Sequence, residues 1–168
     1  MKHLYIVRHA KSSWDNPELR DADRPLNNRG KGDVPRMAEF LSNKIKCPHI
    51  LISSPAVRAF KTAAGFAERF NCSESGIIKS PNLYHASVGA WLDVISQVND
   101  DNESAMLFGH NPGITAFVNQ ITDSNIYNIP TCGVAGIKLS INTWSDINGK
   151  KGALEFYYYP KGIGSDFS

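Results

Sequence analysis

Three short stretches of this chain carry side chains that could handle a phosphoryl group. Near the start, Tyr5-Ile6-Val7-Arg8-His9-Ala10 sets a cation and an imidazole at the edge of an apolar run. A neutral imidazole, with an unperturbed pKa of ~6.5, is a competent nucleophile at cellular pH. It needs one ring nitrogen free and the other tied to an acceptor that fixes the tautomer. The second stretch, Ser53-Ser54-Pro55-Ala56-Val57-Arg58 with Thr62 beyond it, places a guanidinium in the first turn of an expected helix. A helix amino end and an arginine both favour an anion, and the planar fork of Arg matches two phosphate oxygens. The third, Phe108-Gly109-His110-Asn111-Pro112-Gly113, puts another histidine between a buried strand and a helix start. Taken singly, these are equally a strand-end dipeptide, a helix cap with a solvated Arg, and a structural His. Their joint occurrence, each at the end of an expected strand, points to one anion site.

The elements that must position them alternate. His3 to Arg8 reads as a first, buried strand. Residues 10–28 read as a long loop, of the length that is usually functional or disordered. Asn27 or Asn28 caps a helix running to about Lys44, although Pro35 suits only a first turn and argues for a start near Asp33. His49 to Ser53 is a second strand, and Ser54 with Pro55 at the first helical position opens a helix to about Phe70. Gly76 to Lys79 is a short strand, and Ser87 to Val98 a helix with Val88, Trp91, Leu92 and Ile95 on one face. Ser104 to Phe108 is a buried strand, and Pro112 opens a helix to about Thr122. Val134–Asn142 and Ala153–Tyr159 form a terminal hairpin about Asn148-Gly149. This order predicts a three-layer α/β/α sandwich with a mostly parallel central sheet. Its ligand would sit at the carboxyl ends of the strands. The expectation for residues 1–168 is a single domain.

With those residues in view, the chain resembles the histidine phosphatase superfamily, which shares the phosphoglycerate mutase-like fold, and more particularly the SixA-type phosphohistidine phosphatases. The resemblance spans Leu4 to about Gly113. It implies a metal-independent, cofactor-free phosphatase in which His9 is the nucleophile and phosphate carrier. Arg8 and Arg58 would hold phosphoryl oxygens, and His110, protonated, would complete the pocket. Asp23-Arg24-Pro25-Leu26 matches an Arg-Pro-Leu segment of SixA-like proteins, which implies Arg24 as a further phosphate ligand. A salt network of Asp21, Asp23 and Arg24 that merely orders the loop is the competing reading. Trp14 either packs against substrate or covers the core.

Two departures from the family pattern matter. Ala10 stands where many relatives have Gly, which is harmless unless φ is positive there. Leu83-Tyr84-His85 stands where mutases and broad phosphatases carry Leu-x-Glu with a general-acid Glu, and no carboxylate lies between Pro81 and Trp91. An alkoxide leaving group needs a proton, worth ~10²–10⁴-fold in rate; an imidazole leaving from phosphohistidine needs it far less. The missing Glu therefore favours a phosphohistidine protein as substrate. His85 or a loop carboxylate (Asp15, Asp21 or Asp23) is the substitute acid if small phosphate monoesters are the substrates instead. The span from Phe70 to Leu83 leaves no room for the lid of larger members, which suits a protein substrate. A non-catalytic phosphate-binding module is the remaining alternative, although phosphate binding alone gives no reason for His9.

The net charge of +2 is too small to argue for nucleic acid or an anionic membrane as partner. The run Leu4–Val7 is too short for a signal sequence, and no stretch approaches the ~20 apolar residues of a membrane helix. Cys47, Cys72 and Cys132 are widely spaced, form no C-x-x-C pair and no zinc spacing, and read as reduced thiols of a cytoplasmic protein that pack as small hydrophobes.

Overall fold

The computed structural model describes residues 1–163. A six-stranded sheet runs in the order β3-β2-β4-β1-β5-β6. Its strands are β1 (Lys2–Arg8), β2 (Ile50–Ser53), β3 (Ile78–Lys79), β4 (Ser104–Gly109), β5 (Val134–Leu139) and β6 (Ala153–Tyr158). β3, β2, β4 and β1 are mutually parallel. β5 is antiparallel to both β1 and β6, so it alone opposes the other five. The expected mostly parallel sheet is therefore present, and the terminal hairpin exists with a long connection that turns through Trp144–Ile147. Gly149 in that connection adopts φ +75°, a conformation that Gly enters without steric cost.

Helices α1 (Asn28–Ser42) and α2 (Val57–Arg69) cover one face, and α3 (Val88–Ser96) and α4 (Gly113–Thr122) the other. Alternation along β1 divides the core between them. Leu4 and Ile6 pack with Trp91, Ile95, Ile114 and Phe117, whereas Tyr5 and Val7 pack with Val34, Met37, Phe66 and Phe108. A strand buried on both faces reads as a continuous apolar run, which is how β1 and β4 announce themselves in the sequence.

Two helix starts differ from expectation. α1 begins at Asn28, and Pro35 lies inside it. An interior proline removes the bond to the Lys31 carbonyl and costs about 3 kcal/mol. The cap and the buried face outweigh that: Asn27 Oδ1 accepts the Gly30 N–H at 2.9 Å, and Val34, Met37, Ala38 and Leu41 are buried. Gly30 is required there, since a Cβ would stand 2.2 Å from the Lys11 carbonyl oxygen of the 10–28 loop. α2 starts at Val57 rather than at Pro55, with Ala56 as its N-cap and no side-chain cap bond. The Ser54 hydroxyl is committed elsewhere, as described below.

The long loop is ordered by its own pairing. Ser12 and Leu26 form an antiparallel bridge, the Ser13 N–H donates to Pro25 O at 2.8 Å, and the Asn27 N–H donates to Lys11 O at 3.0 Å. A short helical turn, Asp21–Asp23, hangs from this neck. All three cysteines are free thiols; the Cys47 and Cys72 Sγ atoms lie 2.7 Å apart, a fold contact that sequence spacing does not reveal. Cys132 is buried alone.

Candidate active site

β2, β4 and β1 are neighbours, so their carboxyl ends bring Ser54, His110 and Arg8-His9 together. The backbone ties these ends directly: the His9 N–H donates to Gly109 O at 3.1 Å and the Ser54 N–H to Phe108 O at 3.0 Å. The His9 and His110 rings are 5.1 Å apart. Arg58, buried in the first turn of α2, directs its Nε at His9 Nε2 from 3.4 Å.

His9 is only 8% exposed, and its Nδ1–H donates to the Ala10 carbonyl at 2.8 Å. That bond leaves the proton on Nδ1 and the lone pair on Nε2, which faces the Arg58 Nε–H. Burial pushes the His9 pKa down from 6.5 to about 4, against the Ala10 bond and with help from Arg58, Arg8 and Arg24. The imidazole is therefore neutral at cellular pH. Ala10 suits its position because φ is not positive there; its N–H donates to Thr62 Oγ1 at 3.0 Å, and Thr62 Oγ1–H donates to Arg58 O at 2.7 Å. Thr62 thus couples the His9-Ala10 turn to the helix that carries Arg58.

His110 corrects the expectation of a protonated donor. Burial, then His9 and Arg58, push its pKa down to about 3, so it too is neutral. Its Nε2 lies 2.8 Å from Ser54 Oγ. With the Ser54 O–H donating to Nε2, the proton stands on Nδ1, which is buried without a partner. A neutral ring still offers one N–H in this tautomer. Arg8 spends Nη1 on Ile129 O at 2.9 Å and keeps its buried Nε without a partner.

Arg24, 7% exposed, is anchored by the loop: its Nε donates to Ser13 O at 3.0 Å, Nη2 to Ser12 Oγ, and Nη1 to Asp21 Oδ1 at 3.1 Å. Asp21 also receives Arg58 Nη2 at 2.9 Å and the Tyr84 hydroxyl at 2.6 Å, both on Oδ2, while Arg58 Nη1 donates to its carbonyl at 2.6 Å. The salt-network reading of Arg24 thus holds for Asp21, which bridges Arg24 to Arg58, whereas Asp23 pairs with Arg20 instead. The Tyr84 hydrogen bond, followed by those from Arg58 and Arg24, holds the Asp21 carboxyl well below the usual carboxylate range. An ionised carboxylate accepts protons' hydrogen bonds and does not supply an acid's proton, so Asp21 is poorly suited to the general-acid role. Arg24 and Arg58 both pair with Asp21, and with Arg8 nearby and the two rings neutral the cluster carries a surplus of two positive charges (three guanidinium groups less one carboxylate), which favours an anion.

His85 stands at the rim with its side chain 66% exposed, Nε2 3.8 Å from Asp21 Oδ2 and its ring 6.2 Å from that of His110. Its φ of +53° is uncommon for a non-glycine residue. Asp15 is exposed, and Asp23 pairs with Arg20 at 2.9 Å, so neither turns into the pocket. Trp14 does not cover the core: it is 71% exposed and stacks on the Arg24 guanidinium, whose Cζ lies 3.3 Å from the ring centroid. Sequence reasoning missed Tyr84 and the use of Ser54 as the partner of His110. The doublet Ser53-Ser54 at a strand end was the available signal for the second.

Residues 4–112 match the sequence profile of the histidine phosphatase superfamily, branch 1. The chain belongs to that superfamily, the class of phosphatases whose fold and pocket are described above. Among individual relatives, it is 30% identical over 155 residues to an uncharacterised chloroplastic protein of Arabidopsis thaliana, covering 86% of this chain and 70% of that one. It is 25% identical over 165 residues to an uncharacterised protein of Mycobacterium tuberculosis, covering 92% and 100%. Among solved structures, a candidate phosphohistidine phosphatase SixA from Agrobacterium tumefaciens superimposes with a TM-score of 0.79 at 24% identity over 95% of this chain and 98% of that one. The protein histidine phosphatase SixA complexed with tungstate superimposes with a TM-score of 0.81 at 20% identity over 96% and 99%. These two likenesses establish the phosphoglycerate mutase-like fold. Among the described residues, no helix is long and apolar enough to cross a membrane.

Proposed function

We propose that this protein is a phosphatase that takes a phosphoryl group onto His9 Nε2, most effectively from phosphohistidine on another protein, and releases it to water. One observation carries the reading: a neutral imidazole, its tautomer fixed by Ala10 O, keeps the Nε2 lone pair, met only by the Arg58 Nε–H at 3.4 Å, in a cluster with Arg8, Arg24 and the His110 ring. In the first step the Nε2 lone pair bonds to phosphorus as the opposite bond breaks. Arg8, Arg24, Arg58 and His110 Nδ1–H hold the phosphoryl oxygens, so that catalysis rests on positioning and electrostatics. The positive charge that His9 acquires is shared through Nδ1–H with the Ala10 carbonyl. Water then attacks phospho-His9. The tungstate held by the SixA relative, an oxyanion, fits this use of the pocket.

Two features support a phosphohistidine substrate: the absence of a carboxylic acid at the Leu83-Tyr84-His85 position, and the ionised state of Asp21, the carboxyl group nearest the pocket mouth. A second reading, hydrolysis of small phosphate monoesters with His85 as acid, draws on the rim position of His85. Free thiols suit the reducing cytoplasm as the site of action. A panel of phosphohistidine protein, 4-nitrophenyl phosphate and phosphoglycerate tests the substrate. Preferred turnover of the esters rejects the first reading. Rapid quenching of turnover should trap an acid-labile, alkali-stable phosphoenzyme that is absent in His9→Ala; no such adduct in the wild type would leave only a phosphate-binding module.

A further inference from the structure

Asp21 is the feature of the pocket that phosphate binding alone does not call for. A carboxylate set between two phosphate arginines competes with the ligand for their N–H groups. Its arrangement suggests a use. Oδ2 accepts from Arg58 and Tyr84, whereas Oδ1 accepts only the Arg24 Nη1–H. A carboxylate has about four acceptor positions, so Oδ1 keeps one open. The side chain is 41% exposed, and its neighbours Tyr84 and His85 lie beside His110 at ring separations of 5.4 and 6.2 Å. His9 is buried, its ring stands 5.1 Å from that of His110, and Asp21 is joined to the same Arg58 whose Nε meets His9 Nε2, so the rim carboxylate and the buried imidazole belong to one cluster.

We infer that Asp21 is a specificity-determining residue, whose Oδ1 accepts a hydrogen bond from the distal ring N–H of a phosphoimidazole while its P–N bond breaks; the inference rests on the phosphohistidine reading above. The step balances without an acid. The His9 Nε2 lone pair forms the new N–P bond, and the electron pair of the old P–N bond returns to the substrate ring. The substrate ring enters as a phosphoimidazolium carrying its distal N–H and departs as neutral imidazole with that same proton. His9, with Nδ1–H on Ala10 O, takes over the positive charge. The two rings exchange a phosphoryl group between matched settings, each distal N–H held by an oxygen: Ala10 O for the enzyme, Asp21 Oδ1 for the substrate. An alkoxide leaving group has no N–H to offer and gains nothing from an ionised carboxylate.

The experiment compares phosphoimidazole, its distal-N-methyl derivative and 4-nitrophenyl phosphate, with wild type and Asp21→Asn, each kcat/KM divided by the uncatalysed hydrolysis rate. In the wild type, phosphoimidazole should exceed the N-methyl derivative about ten- to hundredfold, the worth of a hydrogen bond to a charged group. In Asp21→Asn the ratio of phosphoimidazole to 4-nitrophenyl phosphate should fall by a similar factor, and the penalty for methylation should shrink. A purely structural role would move phosphoimidazole and 4-nitrophenyl phosphate together. An unchanged ratio in the variant, or equal wild-type turnover of the methylated and unmethylated compounds, overturns the role of Asp21 while leaving the phosphohistidine reading intact. A wild type that shows no preference for phosphoimidazole over 4-nitrophenyl phosphate overturns the reading itself. The methylation comparison needs only the wild type, so it stands even if Asp21→Asn fails to fold.

Discussion

Replacing His9 by Asn exchanges a titrating ring for a neutral amide of smaller size and isolates the cost of burying that ring uncharged. The unfolded His9 takes up a proton near pH 6.5, whereas the folded one resists until about pH 4. Between those values the unfolded chain holds more protons, so stability is complete above pH 6.5 and is lost as pH falls toward 4. With those two pKa values, His9 alone withdraws about 2 kcal/mol between pH 7 and pH 5, out of roughly 3 kcal/mol for the whole window. His110, pushed down to about 3 chiefly by burial, adds a similar acid sensitivity, and His9→Asn removes only the smaller part of that shift that His9 causes. Urea unfolding at a series of pH values measures the difference directly. The wild type should lose about 2 kcal/mol more than His9→Asn on going from pH 7 to pH 5. The same ring sets the acid limb of kcat/KM, which reports the free enzyme, near pH 4 after correction for substrate ionisation. Parallel stability curves for the two proteins, together with an acid limb near 6.5, would refute the claim that His9 is held neutral by its surroundings.

Ser54→Ala strips His110 Nε2 of its partner and frees the ring's tautomer. It should cost about 1–3 kcal/mol of stability, and kcat should fall about tenfold or more in steady-state assays while His9 remains phosphorylatable. Gly113→Ala would place a Cβ 2.0 Å from the Ala86 carbonyl oxygen at the start of α4. It should push back the segment carrying Tyr84 and His85, costing about 1–3 kcal/mol by thermal unfolding and raising KM. An unaltered KM would show that this segment does not shape the rim.

Much of this arrangement is written in local pattern. β1 and β4 are apolar runs ended by a charged or small residue, and the Asn27 and Ser87 caps stand where helix-start chemistry demands. Arg8, His9, Arg58 and His110 follow from strand ends that a parallel sheet must gather. What escaped depends on contacts across the chain. Ser54-Pro55 has the form of a helix cap, but the hydroxyl is drawn 2.8 Å from a histidine 56 residues away. Pro35 argues locally for a later helix start and is overruled by the buried face beneath it. The charge of His110 depends on its depth and on three cationic or potentially cationic neighbours, His9, Arg58 and His85, whose distances no motif records. Tyr84 matters only because a turn from the 10–28 loop brings Asp21 to its hydroxyl.

The stacking of Trp14 on Arg24 has an optical consequence. The other two tryptophans, Trp91 and Trp144, are sealed from solvent, so ligand-dependent emission would come chiefly from the indole resting on the Arg24 guanidinium. If Arg24 holds a phosphoryl oxygen as proposed, an oxyanion entering the pocket would pull on that guanidinium and alter the dipole beneath the fluorophore. The molecule thus carries its own unlabelled gauge of occupancy, readable with tungstate or phosphate before any substrate is identified.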